Sequence, residues 1–269
     1  MPLALVSNDD GISSFYLRAL VEALTLHFDV VVAAPKREQS WIGRAMSRRN
    51  PVSVEKYDGF PCPAWSIDGT PTDCVNIALD HLLPRRPDVV ISGMNIGYNA
   101  GVPFILCSGT LGAAIEGAMW GIRAIAVSVM VAPVYFGLLH EDNATVPPEL
   151  RGDLRNIAAH AALFAAGVAA QPLEHYVVHN INYPPSIDAD TPLEHTMPAS
   201  VEPFGLYVKG DKAGEFKFRF ATGATIPGPC RSDRDSVQAG CISHGILDFS
   251  RIGRIGQGNC HSESARQGQ

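Results

Sequence analysis

The sequence has no cysteine pair at metal or redox spacing, no long hydrophobic run and no surplus of positive charge. Its six cysteines (Cys62, Cys74, Cys107, Cys230, Cys241 and Cys260) are scattered without a CxxC pair. They read as reduced thiols, several of them buried, and not as a disulfide framework. No apolar run approaches the roughly 20 residues needed to span a bilayer. Met1 leads into strand-like residues and an acidic pair, where a secretory leader would carry a basic segment and an apolar helix. The expectation is therefore a cytoplasmic chain with no membrane partner. A net charge of −6 and a pI near 5.8 argue against binding a nucleic-acid polymer, which requires clustered Lys and Arg. The basic stretch KREQSWIGRAMSRR, Lys36 to Arg49, reads as a solvated loop or as an attractor for an anionic substrate. A dinucleotide fingerprint is also missing. The glycine cluster Gly93, Gly97, Gly101 has the wrong spacing and follows the third strand of the core, not the first.

What is present is an alternation of strand and helix. With 46% hydrophobic residues, the 269-residue chain can bury a sizeable core. Leu3 to Ser7, Asp29 to Ala34, Asp88 to Ser92, Ala124 to Val129 and Tyr176 to Ile181 are short apolar runs suited to buried parallel strands. Pro51 to Lys56 and Ala64 to Ile67 look like a more exposed pair. Leu17, Leu20, Val21 and Leu24 recur at helical spacing. Thr70, Pro71 and Asp73 form a capping-box start. A later helix is expected to turn Leu111, Ala114, Ile115, Ala118 and Met119 inward, and Leu154 to Val168 is an Ala-rich helix. The order predicts an α/β fold, a Rossmann-like parallel sheet with helices on both faces and a C-terminal β-hairpin extension. The division expected is 1–184 as core, 185–250 as a β-rich arm and 251–269 as a disordered tail, in which Cys260 and His261 are too few for a metal site.

In such a sheet, ligands bind at the carboxyl edge of the strands. NDDG follows the first strand, the loop with Ser40 the second, and SGMNIG the third. Neighbouring strand residues point to opposite faces, so Asp9 and Asp10 can aim at one point only where the strand has ended, and Gly11 permits that turn. Two adjacent carboxylates stay ionised at low cost only beside a cation. A hard divalent ion, Mg²⁺ or Mn²⁺, takes oxygen ligands, and Asn95 and Ser40 are the right types to complete the set. The blander reading is that the aspartates cap the following helix. Ser108, Gly109 and Thr110 stand at a helix start, where N–H groups and hydroxyls grip an anion, or where Ser108 is an ordinary N-cap. A metal facing a phosphate cradle fits hydrolysis of a phosphate ester.

The motifs LVSNDDG, GTPTDCV, RPDVVISGMNIGYNAG, SGT at Ser108 to Thr110 and AAIEGAMWGIRAIAVSV resemble, in order, the SurE family of stationary-phase survival phosphatases. The likeness is dense over residues 3–130 and weaker at HNINYPP and SDRDSVQAGCISHG. It implies a divalent-metal-dependent phosphomonoesterase that hydrolyses nucleoside monophosphates, a 5′/3′-nucleotidase. It further implies a homodimer or homotetramer formed by exchange of the arm. Carried over by position, Asp9, Asp10, Ser40 and Asn95 would hold one cation per subunit, with Asp9, Asp10 and Asn95 catalytic. Asn99, Ser108, Gly109 and Thr110 would contact phosphate. Two segments depart from the family pattern: Ser14, Phe15, Tyr16 after NDDG, and Trp41, Ile42, Gly43 after the serine. Gly43 removes an expected hydroxyl, while Trp41 either stacks on a nucleobase or packs. Two rivals are a non-catalytic nucleotide-binding protein on a decayed scaffold and a haloacid-dehalogenase-type phosphatase. The second normally spaces its aspartates two apart, whereas here they are adjacent.

Overall fold

The computed structural model describes residues 1–141 and 143–252. The expected disordered tail, with Cys260 and His261, lies outside the described residues except at its first two positions. The strands are β1 (Leu3–Ser7), β2 (Asp29–Pro35), β3 (Val54–Lys56), β4 (Ala64–Ile67), β5 (Val89–Ile96), β6 (Arg123–Val129), β7 (Val177–Tyr183), β8 (Leu193–His195), β9 (Tyr207–Lys209), β10 (Phe216–Phe218) and β11 (Ile242–Asp248). The helices are α1 (Phe15–Leu24), α2 (Pro71–Ile77), α3 (Val102–Cys107), α4 (Gly109–Met119), α5 (Pro133–Glu141), α6 (Arg151–Ala170) and α7 (Asp233–Gln238).

Nine strands form one sheet in the order β3-β4-β2-β1-β5-β6-β7-β11-β8. The run from β4 to β7 is parallel, and β3 and β11 join it antiparallel. The chain steps from β1 to β2 on one side and later inserts β5 on the other. The switch in winding direction therefore lies between β1 and β5, where an open α/β sheet forms its ligand crevice. Every residue of β1 and β5 is buried, as expected of strands covered on both faces. One apolar layer joins α1 and α6 to the sheet through Leu17, Leu20, Leu24, Ile157 and Ala161. On the other face, Val75 and Ala78 follow α2, and Leu111, Ala114 and Ala118 line α4.

The Thr70 capping box forms as predicted: its hydroxyl accepts from the N–H of Asp73, whose carboxylate accepts from the N–H of Thr70. Three local expectations are corrected. Met119 is 36% exposed, because it occupies the last turn of α4, beyond the sheet-facing stripe. The stretch after Ser92 does not leave the sheet. Strand β5 continues to Ile96 with a register shift between Ser92 and Asn95, so β-pairing carries Asn95 to the strand end. Strand β11, which falls within the expected β-rich arm of 185–250, lies instead in the main sheet between β7 and β8. The separate hairpin is β9–β10.

Beyond β7, a histidine group centred on buried His244 ties the sheet edge together. Nδ1 of His179 on β7 lies 3.0 Å from Nε2 of His244 on β11, so at least one ring is neutral. His195 on β8 and the edge of Phe164 on α6 pack on the His244 ring, and Glu174 faces His179. Burial, then the two neighbouring imidazoles, pushes His244 down to about 4. A histidine held neutral in the fold stabilises it above its unfolded pKa, and that contribution is lost as pH falls toward the folded value. Stability should therefore fall by about 2–3 kcal/mol from pH 7 to pH 4 through this group. Urea midpoints measured across that range check it: His244→Gln should flatten the slope, and an unchanged slope would dismiss the linkage.

Candidate active site

Strand β1 ends at Ser7, and the next residues form a turn with Gly11 at φ 100°, a left-handed conformation that glycine adopts freely. Asp9 and Asp10 are 3% and 5% exposed. They leave the turn in different company. Oδ1 of Asp9 accepts from the Thr110 hydroxyl at 2.6 Å, joining the β1 turn to the first turn of α4. Oδ2 of Asp10 accepts from the N–H of Ile96 at 2.9 Å, at the end of β5. The N–H of Gln39 donates to the Asp9 carbonyl at 2.7 Å, which draws in the loop after β2. Three strand ends are thus fastened to one turn. The helix-cap alternative for the aspartates does not form: Ser14 is the N-cap of α1 and makes no side-chain cap bond.

Asn95 is 8% exposed and its amide donates to the Gly97 carbonyl at 2.8 Å. The Ser40 hydroxyl donates to Oε1 of Glu38 at 2.8 Å. Among the described residues, neither Asn95 nor Ser40 makes a direct hydrogen bond to an aspartate. Ser108 caps α4 by accepting from the N–H of Leu111 at 3.1 Å. Gly109, the first residue of α4, has no room for a side chain against the β1 turn. A Cβ added there would lie 2.8 Å from Cβ of Asp9 and 2.9 Å from the Gln39 carbonyl oxygen. The Asn99 amide donates to the Ser128 hydroxyl at 2.9 Å and lies 3.4 Å from the Thr110 hydroxyl. Asp9, Thr110, Asn99 and Ser128 therefore form one polar chain across β1, α4 and β6.

Several contributors escaped the sequence reading. Oδ1 of Asn182 accepts the Asn99 N–H at 2.8 Å, and the Asn180 amide donates to the Asn99 carbonyl at 3.0 Å. Both lie in HNINYPP, which carried a signal but no assigned role. Asn143 donates to the Asp10 carbonyl at 2.7 Å and accepts the Phe15 N–H at 2.8 Å. It lies in the segment after α5, where no motif marks it. Glu38, the one acid in the basic stretch KREQS, adds its negative charge to the field on both aspartates.

Electrostatics set this turn apart. Burial, opposed by the Thr110 bonds, raises Asp9 to about 6. Burial and then the charge of Asp9 hold Asp10 well above the ordinary carboxylate range. Among the described residues neither aspartate forms an ion pair with Lys, Arg or His. Ser7 Oγ, Asn8 Oδ1, Ser14 Oγ and Ser92 Oγ, on or beside the same turn and strand ends, are buried without a hydrogen-bond partner. Two uncompensated buried carboxylates among oxygen donors suit a hard divalent cation. Among the described residues no three His, Cys, Asp or Glu side chains converge on a point. The oxygen-bearing groups at this turn are unlike the His and Cys sets that hold zinc.

The basic stretch is largely spent on structure. Lys36 pairs with Glu55, Arg37 with Asp68, and Arg44 with buried Glu116 at 2.5 Å, which also receives Asn76 and Trp120. Arg48 and Arg49 line an open concavity of about 530 Å³ with Met46, Ser47 and Asp68, outside the aspartate turn. Trp41, 38% exposed, packs edgewise on Phe104, Phe218 and Phe220.

A family model described as Survival protein SurE matches residues 4–201. A "5′-nucleotidase SurE" of Solidesulfovibrio magneticus is 36% identical over 233 residues, 86% of this chain and 84% of the relative. One from Pelobacter propionicus is 48% identical over 126 residues, 46% of this chain. Against that relative and one from Protochlamydia amoebophila, the chain spans about half the relative's length, 49% in each case. The crystal structure of the SurE protein from Aquifex aeolicus superposes with a TM-score of 0.70 at 26% identity, covering 92% of this chain and 93% of that one. The ordered motifs, the switch point between β1 and β5 and these matches agree: the chain belongs to the SurE family.

Proposed function

We propose that the chain is a divalent-metal-dependent phosphomonoesterase that hydrolyses nucleoside monophosphates to nucleoside and phosphate, a 5′-nucleotidase that also acts on 3′-nucleotides. The observation that carries this reading is the pair of buried, unpaired aspartates in the turn after β1, bonded directly to the N-terminus of α4 and the end of β5. Asp9, Asp10, the Asn95 side-chain carbonyl and the Ser40 hydroxyl would hold one Mg²⁺ or Mn²⁺. When bound, that ion polarises phosphoryl oxygens and acidifies water.

The chain's own groups do the rest. The N–H of Gly109, at the positive end of an 11-residue helix, receives a phosphate oxygen, with the Ser108 hydroxyl beside it and Thr110, bonded to Asp9, completing the rim. Asn99, held by Asn180, Asn182 and Ser128, orients its amide at the edge of that cradle. Thr110 fixes the Asp9 carboxylate, and the Ile96 N–H fixes that of Asp10, so both are set before substrate arrives.

The relatives' printed name, 5′-nucleotidase, supports the substrate class. We read residues 1–184, completed by β8 and β11 in the main sheet, as the catalytic core, and the β9–β10 hairpin within 185–250 as the arm through which a homodimer or homotetramer assembles. The exposed rings of Tyr207 and Phe216 on β9–β10 support that assembly. Among the described residues the cysteines are free thiols, in keeping with a reducing cytoplasm, and no helix is long and apolar enough to cross a membrane.

Phosphate release from nucleoside 5′- and 3′-monophosphates, measured with Mg²⁺, with Mn²⁺ and with excess EDTA, tests the reading. Turnover with either ion that falls to background in EDTA is expected. Nucleotide binding without turnover would favour the decayed-scaffold alternative, and a trapped aspartyl-phosphate the dehalogenase-type one.

A further inference from the structure

We infer that Trp41 is a positioning residue, through which the β9–β10 hairpin sets the loop that offers Ser40 to the cation. This rests on the reading of Ser40 just given. Trp41 follows Ser40 directly and has φ 63°, a left-handed conformation that a bulky residue adopts only when its surroundings impose it. An observed outlier of this kind beside a site points to a functional constraint. What imposes it is an aromatic group drawn from distant parts of the chain. The Trp41 ring lies edge-to-face with Phe218 of the hairpin at 5.1 Å between centroids, Phe104 of α3 at 5.9 Å and Phe220 at 6.0 Å.

The group is fastened from behind. Phe204 stacks on Phe104 at 5.7 Å, and the guanidinium of Arg234, 4% exposed, lies over the Phe104 ring. Arg234 also donates to the carbonyls of Thr222 and Gly223, holding the return of the arm against the same ring. On the other side of the loop, the Gly43 N–H donates to the Cys107 carbonyl at 2.8 Å, and the Gln39 N–H to the Asp9 carbonyl at 2.7 Å. Residues 39–43 are therefore pinned to the phosphate cradle and the aspartate turn by their backbone, and to the arm by one side chain.

The consequence is a coupling between the arm and the metal loop. With the clamp removed, the strained turn relaxes and Ser40 leaves its place, while Asp9 and Asp10 keep their own bonds to Thr110 and Ile96. Loss of a group that orients a ligand typically weakens metal affinity about 10–100-fold. Mn²⁺ titrations of the whole chain, followed by electron paramagnetic resonance or calorimetry, test this without reference to turnover. Trp41→Ala and the double variant Phe218→Ala/Phe220→Ala, which alters half-exposed hairpin rings, should both weaken Mn²⁺ by about tenfold or more. Trp41→Phe, which keeps an edge for the same partners, should restore most of the affinity. Trp41→Gly separates the clamp from simple strain: it frees the backbone yet should bind as poorly as Trp41→Ala. If the wild-type chain binds one Mn²⁺ and these variants bind it equally well, the inference fails alone. If the wild-type chain binds none, the site reading fails and takes the inference with it.

Discussion

Replacing Asp10 by asparagine, or Asp9 by asparagine, lowers phosphate release by about 10³-fold or more while the fold persists. Both side chains sit in a turn whose backbone is fixed independently of their charge, by Asn143 and Ile12 around Asp10 and Gly11 and by Gln39 on Asp9. An amide keeps one oxygen where the carboxylate oxygen accepts from Thr110 or Ile96, so the local bonds survive. What is lost is the negative charge that draws a divalent ion out of water. The same substitution removes a buried carboxylate that no side-chain cation compensates, so the metal-free variant should melt at or above the temperature of the metal-free wild type. Circular dichroism melts beside phosphate-release assays in Mn²⁺ check both halves. Normal turnover by both variants would remove the aspartates from the chemistry, and a collapse of the melt would make them structural instead.

Gly109→Ala should cost about 10²-fold in turnover with a nearly intact fold. The added methyl meets Cβ of Asp9 at 2.8 Å and the Gln39 carbonyl oxygen at 2.9 Å, closer than packed carbons sit. Helix α4 or the aspartate turn must shift by a few tenths of an ångström or more. Misplacement on that scale is felt strongly where several oxygens must converge on one ion and one phosphate. Alanine is the better helix former, so propensity alone would predict a gain in stability. Steady-state kinetics with a nucleotide and a metal titration on the same preparation read the displacement. Wild-type values in both would mean that the approach of α4 to Asp9 has no part in the site.

The sequence exposed the frame of the site more readily than its supports. β1, β4 and the capping box at Thr70 lie where their residues place them, because a short apolar run and a local side-chain bond are decided within a few residues. Asp9, Asp10 and Thr110 could be brought to one sheet edge from topology alone, since parallel strands deliver their following loops to the same side. The far end of β5 could not be read so. GMNIG looks like a connection, and only pairing with β6 across a register shift makes it strand. Asn143, Asn180 and Asn182 act through hydrogen bonds across 81 residues or more, and no local pattern records such a partner. Packing by Trp41 was one of two readings the sequence offered, but its neighbours Phe104, Phe218 and Phe220 meet only in the folded chain. Helix α7 opens with Ser232 capping the N–H of Asp235, a legible start, but its six residues carry too little periodicity to mark a helix.

The central claim is that the ends of β1 and β5, with the loop after β2, converge their oxygens on one divalent ion. A crystal soaked in Mn²⁺, with anomalous data collected at the manganese edge, tests it most directly. The account predicts one peak per chain within coordination distance of Asp9 and Asp10, with Asn95 and Ser40 facing it. A difference map without a peak there, or a peak held by other side chains, would contradict it.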